Sequence, residues 1–221
     1  MHGQFQRKWG AMEVEAALVL WKRSTQHQMR YTVLVGDGDT KTFLALSNGN
    51  IYGGDCPIEK EECVNHVSKR LNTGLRNLKS SLSKKSIRIG GNAKGSLSDP
   101  KIGLLQSYYT RAVRGNNELV EEMSRAIWAA FFHSTDRHHD CPAGSDSWCW
   151  FQRDIAAGIA EPQLSTRKTS TFMNELVAEH VKGVYERLTD PSLLKRCLLG
   201  KAQNSNESLH SLIWARCPKH L

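Results

Sequence analysis

Residues 31–39 run Tyr-Thr-Val-Leu-Val-Gly-Asp-Gly-Asp, and the fold is built outward from that stretch. Tyr31 to Val35 is β-branched and aromatic enough for a short buried strand. Gly36 and Gly38 let the chain turn sharply, leaving Asp37 at the carboxyl end of the strand. Open α/β sheets bind their ligands at that end. Asp37 and Asp39 also suit ordinary Asp-Gly turn chemistry. Of the two, Asp37 lies nearer the rigid strand.

Upstream, Val14, Ala17, Leu18 and Trp21 recur at helical spacing and predict a helix over roughly 12–26. Downstream, Thr40 to Leu46 is expected to be helical, closed by Asn48-Gly49. Glu61 to Leu78 predicts an amphipathic helix, striped with Val64, Val67, Leu71, Leu75 and Leu78. The stretch Ser80 to Ser98 is rich in Ser, Gly and Lys and predicts a mobile basic loop. Asp99-Pro100 starts a helix that Gly115 stops. Another is expected over about 118–132, and residues 133–150 then break the pattern with clustered His, Cys and Trp. Helices are predicted over 172–188, from Asp190-Pro191 to Gly200, and over 206–215 with Leu209, Leu212 and Ile213 packed inward. One βα unit followed by a long helical region makes the fold α/β but predominantly helical. No internal repeat is present.

At 221 residues, 39% apolar and 24% charged, the chain suits one domain with a sizeable core or one domain carrying an insertion, and its composition is globular rather than disordered. The net charge is +8, and residues 67–114 alone carry +10: eleven Lys/Arg against Asp99. Such a block points to a polyanion, nucleic acid first, through Lys69, Arg70, Arg76, Lys79, Lys84, Lys85 and Arg88. A solvated basic surface is the alternative. No secretory pattern and no membrane-length apolar run occur, so the six cysteines are expected to be thiols or metal ligands.

Two constellations suit metals. Cys63 and His66 are three apart on one expected helix face. His133, His138, His139 and Cys141, followed by Cys149, crowd soft or borderline ligands into seventeen residues. One tetrahedral zinc held by Cys63, His66, His138 and Cys141 is the expected set, with Cys149 or His133 able to replace a member. A polar loop with buried thiols is the alternative. Separately, Asp37 at a strand end and Glu207 on a distant helix suit two-metal phosphoryl transfer, whose cations stand ~3.5–4 Å apart. Glu207 also fits a capping box with Asn204.

Taken in order, these pieces resemble the Mutator-like transposase domain, from near Gly10-Ala11-Met12-Glu13-Val14-Glu15 to the last residue. The resemblance is carried by the Gly-Asp-Gly-Asp turn and by Cys-x-x-His about 26 residues later. It continues through Ala126-Ile127-Trp128-Ala129, Phe132-His133, Ser147-Trp148-Cys149 and the run from Cys197 through Gly200 and Glu207 to Ser208. It implies an RNase H-like core with a helical insertion, a DDE triad using Mg²⁺, DNA cutting and joining, and a nuclear location. Asp37 then matches the second aspartate and Glu207 the final acid, both as Mg²⁺ ligands. The family's first aspartate lies on an early strand, expected upstream of residue 1. The resulting division is a partial core over 10–80, the basic insertion with its His/Cys cluster over 81–190, and C-terminal core helices over 191–221. The chain is accordingly expected to be a transposase fragment, inactive alone, whose complete enzyme has room to oligomerise. The alternative is a non-catalytic, zinc-stabilised DNA-binding module exapted from a transposase.

Overall fold

The strand expected over 31–35 forms at Val33–Gly36 (β1) in the computed structural model, which describes residues 9–38, 40–162 and 172–216. Gly38, at φ 100°, makes the turn that only glycine takes without strain, and α2 (Thr40–Asn48) follows. The chain then returns as a second strand, β2 (Glu59–Glu62), parallel to β1. Val33 sits opposite Glu59 and Gly36 opposite Glu62. The sequence pattern had a helix beginning at Glu61 instead. Glu-Lys-Glu-Glu has no β-branched or aromatic residue to announce a strand. It becomes one because β1 offers it a ladder: Glu59 N–H donates to Thr32 O at 2.8 Å and Cys63 N–H to Gly36 O at 2.8 Å. The following helix therefore starts only at Val64.

The described residues up to Cys63, with those from Lys201 onward, form one compact unit, and 64–200 form another. In the first, α1 (Trp9–Gln26) packs on α2 around a small core of Ala17, Trp21 and Leu46. Trp21 Nε1–H donates to Tyr31 O at 2.9 Å, which ties α1 to the start of the strand.

The regular structure of the second unit, among the described residues, is helical: α3 (Val64–Lys84), α4 (Asp99–Gly115), α5 (Val120–His133), α6 (Trp150–Ala156), α7 (Glu175–Leu188) and α8 (Pro191–Lys195). α3 packs on α4 and α7, and α5 packs on α4 and α8. Val64, Val67, Leu71 and Leu75 are wholly buried, as the stripe predicts, against Ile102, Tyr109, Ile127 and Val181. Tyr109 satisfies its buried hydroxyl by donating to Leu188 O at 2.8 Å. The region expected to be a mobile basic loop begins as helix, since α3 runs on to Lys84. Its remainder is pinned: Ile89 and Leu97 are buried in the core, and Leu97 N–H donates to Ile89 O at 2.7 Å.

The last helix, α9 (Asn204–Arg216), belongs to the first unit. Leu209, Leu212 and Ile213, expected to pack inward, are 55%, 63% and 47% exposed.

Candidate metal centre and acidic site

Helix α5 delivers the first ligand of a metal-competent cluster. It ends in a Schellman turn: Arg137 N–H donates to Phe132 O at 3.0 Å and Asp136 N–H to His133 O at 3.2 Å. That turn needs a left-handed residue, and Asp136 supplies it at φ 64°. The chain thereby doubles back and sets His138 against His133, with ring centroids 5.0 Å apart. Cys141 follows one turn on, its N–H bonded to His138 O at 3.2 Å. Cys149 arrives at the start of α6, where Ser147 Oγ accepts its N–H at 3.0 Å. Gln152 of α6 reaches back to His138 O at 2.7 Å.

The four side chains are buried, and their candidate donor atoms lie within 4.8 Å of one another. His133 Nδ1 and His138 Nδ1 are 3.2 Å apart, Cys141 Sγ is 3.7 Å from the former, and Cys149 Sγ is 3.5 Å from the latter. Phe151 stacks on His138 at 4.7 Å, and Trp148 and Phe172 stand edge-on around the pair of imidazoles. Here burial lowers the His133 pKa to about 4, helped by the neighbouring His138 and opposed by Asp136. Burial likewise pushes the Cys141 thiol upward, with the Cys149 sulfur adding to it.

The cluster keeps His138 and Cys141 from the expected zinc set and takes His133 and Cys149 in place of Cys63 and His66. Cys63 directly precedes α3 rather than lying on it. Its Sγ accepts the Gln203 N–H at 3.4 Å within the first unit, whereas His66 sits on α3 in the second. His139 is exposed and pairs with Asp140 at 3.0 Å.

In the first unit, Asp37 follows β1 and is exposed, and Glu207 is exposed on the first turns of α9. Gln203 couples these elements across 168 positions: its Nε2–H donates to Val35 O at 2.8 Å. Glu207 N–H donates to Gln203 O at 3.0 Å in the first turn of the helix. Sequence reasoning passed over Glu62, which is buried and lies opposite Gly36, one residue before Asp37. Parallel pairing alone brings it there, and only a recognised β2 would have signalled it. Asp39 lies outside the described residues.

The basic residues of the second unit divide by partner. Lys84, Lys85 and Arg88 are exposed. Asp99 takes Lys79 at 2.6 Å and Arg76 at 3.5 Å, and those contacts, the Lys79 hydrogen bond first, hold its carboxyl below the usual range. Lys101 is turned inward to Phe172 O at 2.8 Å. Lys69 and Arg70 lie on α3. A cleft of ~720 Å³ opens between α4, α5 and the ligand loop, edged by Tyr108, Arg111, Arg125, Asp140 and Trp148. Among the described residues no helix is long and apolar enough to cross a membrane.

No curated protein and no solved structure matches this chain. The model of one protein family, Mutator-like transposase, matches residues 2–149. That span includes the Asp37 turn, Cys63, His66 and all four residues of the buried cluster, and it ends before Glu207. It covers well over half of the sequence, and the chain belongs to the Mutator-like transposase family.

Proposed function

We propose that this polypeptide contributes part of the catalytic core of a DDE DNA transposase of RNase H-like type, acting in the nucleus, with Asp37 and Glu207 as two of the three acids. What supports the reading is the bond from Gln203 to Val35, which ties the start of the Glu207 helix to the strand that carries Asp37. Both carboxylates are exposed and offer oxygen only, a donor set that suits Mg²⁺. When bound, such cations supply electrophilic stabilisation of the attacking and leaving oxygens of the phosphodiester. The chain's own part is to orient the two carboxylates from a strand end and a helix start, and to hold DNA by its phosphates through Lys84, Lys85 and Arg88.

By themselves, residues 1–221 are expected to be inert in strand transfer, because two carboxylates do not hold two cations. Incubation with Mg²⁺ or Mn²⁺ and a nicked end-substrate tests this. Strand transfer that Asp37→Asn abolishes would refute inertness. Metal binding is tested separately by Fe²⁺ with ascorbate and peroxide, which cuts a polypeptide beside its metal ligands. Cuts are expected near residues 37 and 207, both lost in Asp37→Asn, and uniform or absent cutting would remove these acids from the site.

A second reading is favoured by the buried His/Cys cluster: a zinc-stabilised DNA-binding module without catalysis. It predicts DNA binding that survives Asp37→Asn and Glu207→Gln and falls when zinc is withdrawn.

A further inference from the structure

The geometry points to a closed tetrahedral zinc site made by His133, His138, Cys141 and Cys149, and we propose that its ion fastens the loop between α5 and α6. This sharpens the zinc part of the second reading and stands apart from the catalytic one. Tetrahedral zinc binds nitrogen at 2.0–2.1 Å and sulfur at about 2.3 Å. Those bonds require N···N near ~3.3 Å, N···S near ~3.6 Å and S···S near ~3.8 Å. The cluster has N···N at 3.2 Å and N···S at 3.7 and 3.5 Å. These three donor distances are those of a loaded site, and the whole set of four lies within 4.8 Å.

The orientation of His138 is a second, independent observation. Its Nε2 is held by Asp136 Oδ1 at 3.0 Å, so that nitrogen carries the proton and Nδ1 faces the cluster with a lone pair. A carboxylate behind a ligating imidazole is the usual outer partner of a zinc-bound histidine. Asp136 is also the left-handed residue of the turn, so one side chain both bends the chain and sets the tautomer. Two imidazoles and two thiols favour zinc over the hard cations Mg²⁺ and Ca²⁺. Four protein ligands leave no open position, which makes the site structural.

An ion there has work to do. Residues 134–149 contain no helix or strand, and they supply Asp140, Pro142 and Trp148 to one wall of the cleft beside α4 and α5. Zinc ties this wall at both ends, to His133 on α5 and to Cys149 at the start of α6.

Metal analysis of the full chain purified without chelator should give close to one zinc per chain. Cobalt substituted for zinc should show the visible bands of a tetrahedral site and thiolate charge-transfer absorption sufficient for two sulfurs. Cys141→Ser and Cys149→Ser should each halve that absorption, while Cys63→Ser and His66→Ala should leave it unchanged. Where a serine variant fails to fold, the cobalt spectrum of the unaltered chain still counts the thiolates. Metal content near zero, a Cys141–Cys149 disulfide, an octahedral cobalt spectrum or a thiolate count other than two would overturn the proposal. Loss of metal in Cys63→Ser with retention in Cys149→Ser would also overturn this ligand set, while leaving zinc itself in place. Strand-transfer results bear on none of these outcomes.

Discussion

At the scale of single residues, Asp136 carries two duties that substitution can separate. Gly accepts its φ of 64° but loses the carboxylate behind His138, whereas Ala loses both. Asp136→Gly should weaken zinc binding by about 10–100-fold, measured by competition with a chromophoric chelator. Asp136→Ala should weaken it similarly and cost a further ~1–2 kcal/mol in urea unfolding of the metal-free protein, the strain of a left-handed alanine. Gly95 is a comparable position, at φ 84° with Asn174 Cβ only 2.9 Å from where its own would stand. Asn174 caps α7 by accepting the Val177 N–H, and its own N–H donates to Gly95 O. Gly95→Ala should therefore destabilise by about 1–3 kcal/mol, visible as a lower urea midpoint. The ligands were legible one by one, since His133, His138, Cys141 and Cys149 all stood out as soft donors. Their crowding into seventeen residues was legible too, but not which four share one site, because the Schellman turn that folds His138 onto His133 leaves no spacing that resembles a finger.

At the scale of elements, helices with a strong apolar stripe were readable to within a few residues, α5 and α7 among them, because burial of that stripe decides the outcome. β2 was unreadable for the opposite reason: its residues are poor strand formers, and β1 imposes the state on them. The basic stretch after α3 was misjudged because composition counted its lysines and glycines and overlooked two anchors, Ile89 and Leu97. Leu97→Ala should cost about 2–5 kcal/mol, well outside what a solvated loop residue would show in denaturant titration. The charges just ahead of Ile89 are a separate matter. Replacing Lys84, Lys85 and Arg88 by alanine should leave stability nearly unchanged. It should shallow the salt dependence of DNA affinity by up to ~3 units of log K per log salt, equally for unrelated duplexes. A triple variant with unaltered slope would mark these residues as mere solvated surface.

At the scale of the molecule, stability is expected to be uneven. The helical unit owns a core running from Val64 to Cys197, while the unit with the sheet has Ala17, Trp21 and Leu46 and exposes Met12, Val19 and Leu20 on α1. A two-stranded sheet is marginal without cover. Amide exchange should thus be slowest in α3, α4, α5 and α7 and fastest in β1, β2 and α9. Equal protection throughout would show that the small core is underestimated. The contact between Cys63 Sγ and Gln203 N–H has a consequence for how such a chain tolerates change. The helical unit leaves and rejoins at points a hydrogen bond apart, so for the sheet it behaves as a loop already closed. A flexible loop of the same length would charge the sheet a closure entropy growing with the logarithm of its length. A folded insert with adjoining ends charges almost none, whatever its size. Helices can then be gained or lost between residues 64 and 200 over generations while the register of Asp37 against the Glu207 helix stays as Gln203 sets it.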